Sequence, residues 1–484
     1  MDFAQFDNTY ARLPERFFAS VKPHPVSQPK LLKLNEELAQ ELGLDPGALA
    51  SPDGLSVLAG NRLAAGSEPL AMAYAGQQFG NWSPQLGDGR AHLLGEIITP
   101  AGARRDIQLK GSGPTPFSRN GDGRAWVGPV LREYIVSEAM HALGVPTTRA
   151  LAAVATGDSI QRENVLPGAI LTRVARSHLR VGTFQYFAIR RDVEGLKTLA
   201  DYAIDRLYPQ CVDEKNPYLA FLGEVVKAQA KLVASWMGLG FIHGVMNTDN
   251  VSISGETIDY GPCAFMDGFN SKRVFSSIDE LGRYAFANQP AIAHWNLAQF
   301  AQALLPLFDD DEELAVSAAQ EAINVFPDFY QGEWAVVSKA KLGLTEASDE
   351  EARSLMNDLL GLMEQGEVDF TQAFRFLSFK EVGAFRNLFD GSEEVNDWIV
   401  RWNKALGDRS ATERSDAMLE VNPAIIPRNH RVEQTIRAAL DGDIAPFERL
   451  VEATRNPFDP GLDEDELAQP PQPKEQVLYT FCGT

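Results

Sequence analysis

Cysteine is nearly absent from this chain: three residues, Cys211, Cys263 and Cys482, in 484. Three cannot build a disulfide framework, and a reducing, cytoplasmic setting fits that scarcity. Long apolar runs are missing as well. No stretch approaches about 18 uninterrupted apolar residues, so no membrane span is expected. The first residues, Met-Asp-Phe-Ala-Gln-Phe-Asp, lack the basic and Arg-rich features of secretory and organellar leaders. Basic residues are in short supply: 44 Lys+Arg face 66 Asp+Glu, a net charge of −22. Such a chain is not a general nucleic-acid binder, because phosphate backbones require clustered cations.

What is present is ordinary globular composition, 44% hydrophobic and 23% charged. The length suits about three domains or one large two-lobed unit. The acidity is uneven. Residues 104–190 carry twelve Lys/Arg against six acids, a basic island suited to a compact anion such as a nucleoside triphosphate. Chance and surface solvation are the plainer reading of such a charge run.

Helical periodicity appears at Leu31 to Leu42. From Leu70 to about Ile189, short strands and glycine loops surround one strong helix. The strands are expected at His92–Ile98, Asp106–Lys110, Thr148–Ala155 and Ala169–Ala175, and the helix at about Pro129 to Leu143. Beyond Leu196 helices dominate, at 196–207, 217–238, 279–287, 294–307, 310–324, 348–365 and 430–440. Two units follow: 1–190, an N-terminal extension and a mixed lobe with nucleotide loops, and 191–484, a mainly helical lobe. The Pro- and acid-rich Asn456 to Glu475 reads as an extended tail. The pentapeptide Gly-Asp-Gly-Arg-Ala occurs at 87–91 and 121–125, and both copies read as nucleotide loops.

The richest stretch runs from His243 to Gly261. Val251–Ile253 and Glu256–Ile258 are β-like and flank Ser254-Gly255, so a two-residue hairpin is expected. That register sets Asn250 opposite Asp259. An amide oxygen and a carboxylate would then meet where a hard cation on phosphates could sit. Asp249 would project to the other side. Asp and Asn also flank and cap turns, so this pair alone leaves both readings open.

Protein kinases read His-Arg-Asp-x-x-x-x-Asn in the catalytic loop and Asp-Phe-Gly beyond it. Here Asn250 follows His243 by seven positions, and Asp259-Tyr260-Gly261 stands for Asp-Phe-Gly. Lys110 ends a strand, and Glu133 lies 23 positions later on the strong helix, the order of the kinase lysine–glutamate pair. Gly87-Asp88-Gly89-Arg90 precedes a strand as a phosphate-covering loop should. The kinase base would fall at Val245, which cannot accept a proton, and no Ala-Pro-Glu follows. The chain is therefore either an inactive kinase or a kinase fold doing other phosphate chemistry.

These segments, with Tyr74-Ala-Gly-Gln-Gln-Phe-Gly-Asn-Trp82, Gln85 to Ala91, Leu109 to Pro116, His243 to Asn250 and Thr257 to Pro262, resemble the SelO (YdiU) family. The resemblance covers essentially the whole chain. It implies an α+β, bilobal protein-kinase-like fold and transfer of AMP from ATP, bound in a flipped orientation, to Ser, Thr or Tyr hydroxyls of proteins. It implies ATP contacts at Gly87, Gly89, Arg90, Lys110, Asp122, Gly123, Arg173, Arg180 and Asp259. It implies Mg²⁺ or Mn²⁺ on Asn250 and Asp259, Asp249 as proton acceptor, and Glu133 as partner of Lys110. Guanidinium forks at Arg173 and Arg180 suit phosphate oxygens. Conventional phosphotransfer and a non-catalytic ATP-binding scaffold are the alternatives. A monomer is expected, with protein substrates and neither nucleic acid nor membrane as partner. Two departures stand out. Gln77 replaces a His common in the family. The redox cysteine expected near the C-terminus is Cys482, while Asp267 to Asp279 holds no cysteine and Cys263 is the nearest.

Overall fold

A computed structural model of the chain describes residues 4–480. The architecture is mixed: among the described residues, one eight-stranded antiparallel sheet, two two-stranded ribbons and a large helical part. The sheet strands are β1 (Phe18–Ser20), β2 (Lys30–Leu34), β3 (Leu70–Met72), β4 (Ala91–Ile98), β5 (Arg104–Lys110), β6 (Ala125–Trp126), β7 (Arg149–Gln161) and β8 (Val165–Ala175). Their order is β1-β3-β4-β5-β8-β7-β2, with β6 on β8.

Alternation along the strands assigns the faces. Ile107 and Leu109 of β5 and Ile170 and Val174 of β8 join a core with Leu38, Leu42, Leu49 and Leu58 from the N-terminal helices. The opposite face takes Leu171 with Leu131, Tyr134 and Ile135 of helix α1 (Val127–Ala142). The C-terminal helices α2 (Asn429–Leu440) and α3 (Ala445–Arg455) pack on that same helix through Ile436, Phe447 and Leu450. On this second face Gln108 lies directly opposite Arg173, and Lys110 lies two residues along β5. The polar residues of the alternating sequence are thereby aimed together.

The long helices of the second half fall near expectation: Val193–Leu207, Pro217–Gly238, Gln289–Leu304, Glu312–Asn324 and Asp349–Gln365. Pro217 opens its helix after the Asn216 cap, whose side chain accepts the Leu219 N–H.

Three expectations are corrected. The stretch Leu31 to Leu42 is not one helix. Lys30–Leu34 pairs with β7, Asn35 caps by accepting the Leu38 N–H, and only Glu36–Glu41 is helical. Pairing with a free sheet edge outweighs the helical period there. The expected 279–287 helix is a looped segment ending in the 3₁₀ turn Phe286–Asn288, with Gly282 at φ +65° interrupting it. The segment Asn456 to Glu475 is packed rather than extended from the surface. Asp463 accepts from buried Arg375 at 2.6 Å, Arg428 donates to the Ala468 carbonyl at 2.8 Å, and Leu467 and Ala468 are buried. Further on, Thr480 donates through N–H to Phe275 O and through its hydroxyl to Pro262 O. Cys482 lies outside the described residues. Among the described residues no helix is long and apolar enough to cross a membrane.

Candidate nucleotide-transfer site

The second sheet face, α1 and the 245–261 segment enclose a cleft of about 420 Å³. Lys110, Glu133, Arg173, Arg180, Asp249, Asn250 and Asp259 all line it. Lys110 Nζ lies 2.6 Å from Glu133 and 2.6 Å from Asp259 Oδ1. Arg173 donates to the same Oδ1 at 2.6 Å and reaches Glu133 at 3.3 Å. Arg180 donates to Asp259 Oδ2 at 2.6 Å and to the Asp249 backbone carbonyl at 2.7 Å. Three cations thus converge on one carboxylate. Asp259 holds φ +64°, a left-handed conformation that Asp tolerates and that recurs at functional sites.

Two side chains absent from the sequence expectation organise this cluster. Gln108 Oε1 accepts twice from Arg173, at 2.6 and 3.1 Å. Its amide donates to Asp88, which also accepts the Met72 N–H and lies 3.9 Å from Arg180. Asp88 is the acid of the first Gly-Asp-Gly-Arg-Ala loop, so that repeat was the available signal. Gly87 of the same loop has φ +74°, and a Cβ there would meet the Phe117 ring at 2.3 Å, so only glycine fits.

Asp249 stands apart from the ion pairs. It is buried, its Oδ2 accepts from Gln78 at 3.1 Å, and its Oδ1 has no hydrogen-bond partner. Burial raises its carboxyl to about 6, against the lowering effects of Gln78 and Arg180. Burial also works to raise Asp259, but Lys110, Arg180 and Arg173 outweigh it and hold that carboxyl well below the usual range. Burial opposes the charge of Arg180, yet Tyr74, Asp259 and Asp88 keep it firmly protonated. Gln78 belongs to a two-stranded ribbon, Gly76–Gln78 with Asn81–Ser83, that roofs the loop. Gln77 N–H donates to Thr248 Oγ1 and Phe79 N–H to Asn247 Oδ1.

The expected 251–258 hairpin does not form. Thr248–Asn250 is a 3₁₀ turn, and each arm pairs elsewhere. Val181 N–H donates to Val251 O, Ile253 N–H to Leu179 O, and Thr257 exchanges hydrogen bonds with Pro146 and Thr148. An isolated three-residue hairpin is marginal, and neighbouring backbone offers better partners. Asn250 and Asp259 still line one cleft, although cross-strand register does not bring them there. Val245 lies in the same cleft, and Asn250 donates to its carbonyl at 3.1 Å. His243 Nε2 lies 2.9 Å from Ile258 O, tying the loop to the residue before Asp259.

Asp122 and Gly123 are not in the cation cluster. They line an adjoining cavity of about 790 Å³ with Gly87, Gly89 and Arg90, and Asp122 pairs with Arg162 at 2.7 Å. Gly89, Arg90, Tyr74, Gln78 and Asp249 border both cavities. The two Gly-Asp-Gly-Arg-Ala copies therefore meet at one composite opening. Among the described residues no group of three or more His, Cys, Asp or Glu could hold a metal ion. A pair of hard oxygen donors, Asn250 and Asp259, suits a cation that draws its remaining ligands from phosphates. Asp259 Oδ1 already takes two donors and Oδ2 one, which leaves a lone pair on Oδ2.

Buried cations facing a cleft, beside a carboxylate of raised pKa, are the equipment of an enzyme that moves phosphorus-centred groups. The sequence pattern described as protein adenylyltransferase SelO matches residues 2–455. The chain is 56% identical over 488 residues to the protein nucleotidyltransferase YdiU of Rhodopseudomonas palustris (strain BisB18), covering 99% of each. It is 55% identical over 488 residues to that of Rhizobium meliloti (strain 1021), again covering 99% of each. The chain belongs to the SelO family of protein adenylyltransferases.

Proposed function

We propose that this protein transfers AMP from ATP to Ser, Thr or Tyr hydroxyls of other proteins and releases diphosphate. The observation that carries the reading is the convergence of Lys110, Arg173 and Arg180 in a cleft where Asp249, not residue 245, is the unpaired carboxylate. The acceptor oxygen bonds to the α-phosphorus as the bond to the β-phosphate bridging oxygen breaks. Asp249 Oδ1 takes the hydroxyl proton, and a base near 6 is largely ionised at neutral pH. Lys110, Arg173 and Arg180 face the charge that grows on the departing diphosphate. On this reading the terminal phosphates lie inward, and the nucleoside lies toward Gly87, Gly89, Arg90, Asp122 and Gly123, which line the adjoining cavity. Mg²⁺ or Mn²⁺ would be held by Asn250 and Asp259 and would neutralise phosphate charge.

The finer architecture follows the same reading. Residues 1–190 and 191–484 form the two lobes of a kinase-like fold, and the protein works as a cytoplasmic monomer. Incubation with ATP labelled at either the α- or the γ-phosphate, followed by intact-mass analysis of an acceptor protein, decides the chemistry. Incorporation of the α-label as AMP is expected. Incorporation of the γ-label as phosphate would replace this reading with conventional phosphotransfer.

A further inference from the structure

Arg283 is a cation that the proposed reaction leaves unused, next in sequence to Tyr284, whose contacts reach the cleft wall. The loop before it folds onto Asp279, whose carboxylate accepts the Arg283 N–H at 2.9 Å and the Tyr284 N–H at 2.7 Å. The Tyr284 hydroxyl donates to Asn247 Oδ1 at 2.6 Å, and its ring meets Phe79 at 5.2 Å. Asn247 and Phe79 line the cleft, so Arg283 is anchored one residue from its wall. Its guanidinium lies 4.6 Å over the Trp295 ring, a contact that orients the cation without neutralising it. Its Nε and Nη2 are covered and have no hydrogen-bond partner, and no ion pair reaches it among the described residues. Buried Arg206, Arg375 and Arg428 each meet a carboxylate. The Arg283 side chain is only partly buried, but its covered Nε/Nη2 edge, the edge that grips a carboxylate bidentately, has no counter-ion among the described residues.

We infer that Arg283 selects protein substrates by pairing with an Asp or Glu side chain close to the acceptor hydroxyl. The inference rests on the adenylyltransferase reading. On this inference the substrate carboxylate reaches the Nε/Nη2 edge as the neighbouring 278–282 loop shifts. Ile278 and Leu281 on that loop are 58% and 96% exposed, so the shift uncovers little core. A path for the rest of the substrate chain continues along the same helix. Gln299, one turn beyond Trp295, lines a groove with Gln77 and Trp82 of the ribbon that roofs Asp249.

The test uses a dephosphorylated, proteome-derived peptide pool, ATP and the full-length protein, with AMP sites mapped by mass spectrometry. Wild-type sites should be enriched in Asp/Glu within a few positions of the modified hydroxyl. Arg283→Met should lose the enrichment, Arg283→Lys should keep part of it, and Arg283→Glu should turn it toward Lys/Arg. On one synthetic acidic peptide from the wild-type set, Arg283→Met should raise the peptide KM about tenfold or more, with kcat moving less. Identical flanking residues in all four proteins, or a rise in the KM for ATP in place of that for peptide, would overturn the role. Wild-type labelling without acidic enrichment also overturns it, and needs no variant to fold. A wild type that binds ATP and labels nothing refutes the adenylyltransferase reading itself.

Discussion

Two charge clusters sit on one face of β5, four residues apart, and they differ in access to the cleft. Around Asp106, Arg206 bridges Asp106 and Glu96 at 2.5 and 2.8 Å, and Arg104 joins Glu96 at 3.3 Å. His178 donates its N–H to Asp106 and is driven down to about 4 by burial, so it is neutral. Arg104 also pairs with Asp7 at 2.6 Å, and Asp7 with Arg12, so three carboxylates face three guanidiniums. Around Lys110, three cations face three carboxylates: Glu133 and Asp259, with Asp88 3.9 Å from Arg180. The first cluster borders neither cavity of the site, while the second lines the cleft. A balanced, enclosed network fastens the sheet to helix Val193–Leu207. A cluster whose cations line an opening can turn them toward an anion.

The sharpest way to break this contrast is Asp259→Ala. It removes the shared partner of three cations and a proposed metal oxygen, so AMP transfer should become undetectable with α-labelled ATP. Measurable transfer at saturating metal would mean that Asp259 serves the fold only. Asp249→Asn comes next, with an expected loss of about 10²–10⁴-fold in transfer. ATP affinity should survive in this variant, and a parallel collapse of affinity would make Asp249 a ligand rather than the base. In the wild type, kcat/KM should fall about tenfold per pH unit below about 6, because Asp249 must be ionised to accept a proton. A flat profile there would remove Asp249 from that role.

Asp106→Ala should behave in the opposite manner. Breaking a buried, paired network costs about 3–5 kcal/mol, measured by denaturant unfolding. The KM for ATP of the folded enzyme should stay within about twofold of the wild type. The smallest effect sharpens the comparison from the stability side. The folded-state value of Asp249, about 6, lies above its unfolded one, so the native state holds this proton longer. Ionisation therefore lowers stability above pH 6, and the penalty fades as pH falls toward 4. Asp249→Asn should accordingly raise Tm at pH 7.5 and do so less at pH 5. An equal shift at both values would show that charge burial is not the cause.

Lys110 and Glu133 were legible because a strand end and a helix in fixed order bring them together. The sheet and long helices were legible through their periods of two and 3.6. The 251–258 hairpin misled, because short arms take whatever backbone edge is nearest, and here these belong to Leu179, Val181 and Pro146. The tail at Asn456 to Glu475 misled in the same manner, since its composition is disordered-like but Arg375 and Arg428 lie waiting for it. Gln108 gave no spacing signal at all, since its importance comes from cross-strand register, and Asp88 was marked only by the Gly-Asp-Gly-Arg-Ala repeat.

The sequence by itself determined the residue types available for phosphate chemistry, the loss of a base at Val245, the strand alternation that separates Ile107 and Leu109 from Gln108 and Lys110, and the family. These depend on local order and side-chain chemistry alone. Only the tertiary structure decided that Arg173 and Arg180 share Asp259, that Asp122 turns to Arg162 at the outer opening, and that Asp249 keeps an oxygen unpaired. Those outcomes depend on which of several nearby partners reaches a charge first in space, and burial sets the strength of each pairing by removing the water that would otherwise compete.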